Sequence, residues 1–197
     1  MASVPVALGF ALTTLVVGAG CQPPTEVTVA LSTNLPCDEI DGTGLVIGSP
    51  EDVDTNDVLT VTPTCDGGRI GTLVVIPGED REAVFAVKAV TGVGVLPEEC
   101  LTGAARPTDV PGERGCIVAR RELGFVPKTP LTLPMVMRRD CIAVSCDAGT
   151  TCVEGGVCVS ARVVDPLRCS EPGGCDETSL GPVTSSDQDG GVGGGGP

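Results

Sequence analysis

The chain has 197 residues, a formal net charge of −14, eleven Cys, and no His, Trp or Tyr. Without His, the Ser-His-Asp and Cys-His catalytic pairs and the His-containing zinc sites are excluded. So acidic a chain repels nucleic acid and anionic lipid surfaces, and without Trp or Tyr it has no aromatic platform for stacking sugars or bases.

Residues 1–20 read as an export signal. Val4 to Val17 form an apolar run broken only by small or hydroxyl residues, the length of a signal core and short for a membrane span. Gly18-Ala19-Gly20 precede Cys21, and Gln22-Pro23-Pro24 follow. This arrangement resembles the bacterial lipoprotein signal, in which an apolar and small-residue box ends in the Cys that receives lipid. Ala19, Gly20 and Cys21 match its last three positions. Gly18 departs from the aliphatic residue usual there, and no Lys or Arg precedes the run. The resemblance implies cleavage after residue 20, acylation of Cys21 and a membrane anchor. Because Gln22 is not the Asp that retains such proteins at the inner membrane, it implies an outer-membrane address, facing the periplasm or the cell surface. Ordinary cleavage after Gly20 is the alternative. Cysteine parity favours lipidation, since setting Cys21 aside leaves ten Cys, enough for five disulfides with none left over.

Residues 21–25 form a Pro-containing spacer, and residues 26–139 read as a β-sandwich. Val27, Val29 and Leu31 alternate with polar or small residues, the signal of a half-buried strand. Further strands are expected at Gly44–Ser49, Val58–Pro63, Ile70–Ile76, Ala83–Val90, Cys116–Val126 and Leu131–Met137, separated by Gly, Pro, Asp and Asn clusters. This all-β pattern has the general look of an immunoglobulin-like or fibronectin-like domain, without the central Trp. Beyond the signal only Phe85 and Phe125 are aromatic, so the core must come from Val, Leu and Ile, with disulfides as staples. Of Cys37, Cys65, Cys100 and Cys116, the preferred pairs are 37 with 65 and 100 with 116, the latter closing a long loop over Leu101–Gly115.

Residues 140–176 carry Cys141, Cys146, Cys152, Cys158, Cys169 and Cys175 among small residues, the mark of a small disulfide-rich module. The run is similar in type to compact Cys-rich knots such as EGF-like modules, although it lacks their C-x-C. Its connectivity is open. Residues 177–197 read as a disordered Gly-rich tail.

Zinc and iron–sulfur knuckles favour C-x2-C spacing, which is absent. Asp52, Asp54, Asn56 and Asp57 set oxygen donors in the rhythm of a calcium loop. Asp57 stands where an EF-hand needs Gly, however, and Pro63 stands where it needs Glu. An acidic turn between strands explains the segment equally well. The carboxylate pairs Glu98/Glu99 and Asp80/Glu82 have nothing to bring them across a cleft. Arg120-Arg121 and Arg138-Arg139 are local basic pairs whose neighbouring side chains point to opposite faces of a strand. They read as exposed charges balancing nearby acids, or as contacts for an anionic surface ligand. No nucleophile elbow or nucleotide-binding loop is present.

The whole layout resembles Cys-rich surface lipoproteins of Gram-negative bacteria. It implies a non-enzymatic envelope protein without a cofactor, acting as an interaction or structural element toward an envelope protein or polysaccharide. The alternative is a secreted soluble disulfide-rich binding or inhibitor protein.

Overall fold

The computed structural model describes residues 22–100 and 109–182. Seven strands fall at the expected segments: β1 (Glu26–Thr33), β2 (Ile40–Gly48), β3 (Thr60–Thr62), β4 (Arg69–Val75), β5 (Val84–Val93), β6 (Gly115–Gly124) and β7 (Pro130–Met137). Short 3-10 turns interrupt the loops, and two further strands, β8 (Thr150–Val153) and β9 (Val157–Ser160), form a hairpin among the C-terminal cysteines. Every described element is therefore a strand or a single turn.

The strands make a three-stranded sheet in the order β4-β1-β7 and a four-stranded sheet in the order β3-β2-β5-β6. β1 runs antiparallel to β4 and parallel to β7. An immunoglobulin constant domain orders its strands ABED and CFG; here the first strand lies between the fourth and the seventh.

Alternation explains how the two sheets join. Val27, Val29 and Leu31 of β1 and Leu131, Leu133, Met135 and Met137 of β7 fall in one buried cluster with Phe85, Val87, Ala89, Ile117 and Ala119 of the other sheet. Phe85 and Phe125 stack within it at 4.6 Å between ring centroids. The opposite face of the four-stranded sheet is also covered. Val53 and Val58 pack on Val46 and Ala86, while Val95 and Cys100 pack on Val90, Cys116 and Val118.

Five disulfides tie these layers together. Cys37 pairs with Cys65 and Cys100 with Cys116, the pairs preferred from the sequence. The remaining pairs are Cys141–Cys152, Cys146–Cys158 and Cys169–Cys175. Cys141, Cys152, Cys169 and Cys175 join the central cluster together with Ile142 and Val163. The Cys-rich segment thus shares one core with the strands, instead of forming a knot with a core of its own.

That segment also closes two sheet edges. Along β6, Cys116 O accepts from Ala143 N at 2.9 Å, Arg120 N donates to Thr151 Oγ1 at 2.9 Å, and Glu122 N donates to Ala161 O at 2.9 Å. These are alternate residues, whose backbone groups face away from β5. On β7, Thr132 O accepts from Cys175 N at 3.3 Å.

The ordered chain runs past the expected start of the tail at 177. Glu177–Ser179 form a 3-10 turn, and Leu180 bridges to Val163. The reason is local, because Asp176 caps the turn and Glu177 ion-pairs with Arg138. The expected signal, Cys21, residues 101–108 of the expected loop and the Gly-rich residues from 183 onward lie outside the described residues.

Candidate functional site

β6 supplies the chemistry through two adjacent arginines. Both are buried, Arg120 at 5% and Arg121 at 3% exposure, which corrects the expectation of exposed charges. The strand does send them to opposite faces, but chain covers each face.

Arg120 belongs to an ionic cluster on the outer side of the four-stranded sheet. Lys88 of β5, directly opposite in register, is 1% exposed. Asp54, from the loop after β2, bridges the two cations. Its Oδ1 lies 3.2 Å from Lys88 Nζ and accepts from Arg120 Nε at 2.9 Å. Burial alone would raise the Asp54 carboxyl. The hydrogen bonds and charges of Arg120 and Lys88 together outweigh burial and hold it below the ordinary value of 3.8.

This geometry disperses the calcium candidates. Asp54 is occupied by two cations, Asp52 accepts from Ser49 Oγ at 2.8 Å, and Asn56 Nδ2 donates to Ile47 O at 3.4 Å. Asp57 is exposed at the loop's end. Among the described residues, no group of three or more Cys, Asp or Glu is placed to hold a metal ion. The acidic loop instead folds over the sheet and neutralises buried cations.

Of the carboxylate pairs, Asp80 accepts from Glu82 N at 2.9 Å in an exposed turn. Glu98 and Glu99 lie within the turn before Cys100.

Arg121 has the parity of Ile117, Ala119 and Leu123, the core-facing row of β6. Its Nη1 donates to Arg120 O at 2.7 Å and to Thr151 Oγ1 at 3.1 Å. Burial is the main cause that pushes its pKa down to about 10; Glu177 opposes the fall and Arg138 adds to it. Arg121 opens onto a cavity of about 220 Å³ at the seam of β7 and the Cys-rich segment. There Arg138 Nε donates to Glu177 Oε1 at 2.8 Å, which raises the Arg138 pKa. Glu177 Oε2 accepts from Glu154 N at 3.3 Å. Asp176 also lines the cavity, and a hydrogen bond from Thr178 lowers its pKa.

One arginine of each sequence pair, Arg121 and Arg138, therefore meets at a single cavity. Their partners diverge, Arg120 to Asp54 and Arg139 to Glu39. The sequence signal for Arg121 was a charged residue in phase with Ile117, Ala119 and Leu123. Nothing local marked Glu177.

Among the described residues, no helix is long and apolar enough to cross a membrane. No protein-family model, no curated protein and no solved structure matches this chain.

Proposed function

We propose that this protein is an exported, non-enzymatic cell-envelope lipoprotein, lipid-anchored through Cys21 at the outer membrane and serving as an interaction or structural element. The observation that carries this reading is the cysteine count. Ten of the eleven Cys are consumed in five disulfides, and Cys21 is the one outside these pairs. Five disulfides belong to an oxidising compartment, and the eleventh Cys sits where the lipoprotein signal places its acylated residue. We read the two sheets as a β-sandwich with the general layout of immunoglobulin-like domains and a rearranged strand order. The chain's lack of His, with its arginines and acids largely committed to one another, favours a scaffold over a catalyst.

The test is cell fractionation of wild type and Cys21→Ser, expressed from its own signal. The anchored protein partitions into detergent with the outer membrane, and the variant is released or retained as an unprocessed precursor. Wild type recovered as a soluble protein would instead support the secreted binding or inhibitor alternative.

A further inference from the structure

The seam cavity holds an arginine whose burial is not matched by an ion pair. Arg121 is 3% exposed, and only its Nη1 makes hydrogen bonds, both to neutral oxygens. Among the described residues, Nε and Nη2 have no hydrogen-bond partner, and no carboxylate lies within ion-pair distance. Neither nitrogen is sealed from solvent, because among the described residues Ser179 Oγ is the one fully buried side-chain N or O atom without a partner, so both keep accessible surface. The nearest candidate, Glu177, is already engaged by Arg138 Nε and Glu154 N. Arg121 therefore presents donors to the cavity without a protein acceptor.

The other lining groups define what could satisfy them. Glu154 and Asp176 add two carboxylates beside the Arg138–Glu177 pair, so the cavity carries two cationic and three anionic side chains. A simple anion would meet Arg121 but face the carboxylates. A simple cation would suit Glu154 and Asp176 but leave Arg121 unmatched. A ligand bearing both charges meets both demands. Pro134 and Val136 offer an apolar wall, and the volume of about 220 Å³ is below the roughly 300–1,000 Å³ of drug-sized sites.

We infer that this cavity is a binding site for a small aliphatic zwitterion of amino-acid size. Its carboxylate accepts from Arg121, its ammonium faces Glu154 and Asp176, and its alkyl part lies on Pro134 and Val136. The inference does not depend on how the protein is anchored.

The test is thermal unfolding and titration calorimetry of the oxidised mature protein with alanine, acetate and methylammonium as separate probes. Alanine raises Tm saturably, whereas acetate and methylammonium at the same concentration do not. Arg121→Met removes the alanine response. Should that variant fail to fold, Glu154→Gln, at the exposed rim of the cavity, weakens alanine binding about tenfold or more. The inference is overturned if alanine produces no saturable shift, if acetate alone matches it, or if a folded variant responds like wild type.

Discussion

Lys88 and Arg120 sit on a sheet face that water does not reach, and Asp54 is the carboxylate shared between them. Removing it leaves two buried cations short of an acceptor, at a cost of about 1–3 kcal/mol, since part of the Asp54 side chain remains exposed. Asp54→Ala should show that loss in urea denaturation of the oxidised protein. The pH dependence follows from the lowered carboxyl. Its stabilising contribution is complete above the ordinary value of 3.8 and is lost as pH falls through the lower folded value. Wild type should therefore lose more stability on acidification than Asp54→Ala does. This cluster was hidden from the sequence because Asp54 and Arg120 are 66 residues apart. Alternation correctly separated Arg120 from Arg121, yet it carries no information about loops that cover the outer face of a sheet.

At the scale of elements, the seven strands of the two sheets were legible because β1 and β7 alternate apolar with polar or small residues, and the others are short stretches rich in Val, Ile, Leu and Thr between Gly, Pro and Asp breaks. The β8–β9 hairpin was not, as its strands are only four residues long and each carries a Cys of the closely spaced set, so the spacing of cysteines masked the strand pattern. Cys152 and Cys158 face each other in register, but Cys152 pairs with Cys141 and Cys158 with Cys146. Edge closure was equally invisible, because it depends on backbone groups meeting across long separations. It has two consequences. Gly174 lies against Thr132 O with φ of 76°, so Gly174→Ala would meet that carbonyl and strain the backbone. A loss of about 1–3 kcal/mol is expected in denaturant titrations. A chain ending at residue 139 would bare the outer edges of β6 and β7, and unpaired edges recruit further strands. Light scattering should show it aggregating where the unlipidated chain of residues 22–197 remains in solution.

The whole molecule has few aromatic side chains and compensates with covalent closure. Cys100 and Cys116 are 16 residues apart and Cys169 and Cys175 are 6 apart. In the chain-entropy model, closing these loops contributes about 3 and about 2 kcal/mol. Replacing Cys100 and Cys116 together by Ala should therefore lower stability more than replacing Cys169 and Cys175, provided packing losses are similar. Disulfides, strands and a shared core describe a rigid body built for an oxidising compartment, and the cysteine left over is the proposed point of attachment to the membrane. Intact mass of the native protein, measured before and after reduction, addresses both at once. The account predicts a mass exceeding residues 21–197 by a diacylglycerol with or without a further acyl chain, and a gain of ten protons on reduction, matching the ten paired cysteines. An unlipidated mass, or a gain well below ten protons, would contradict it.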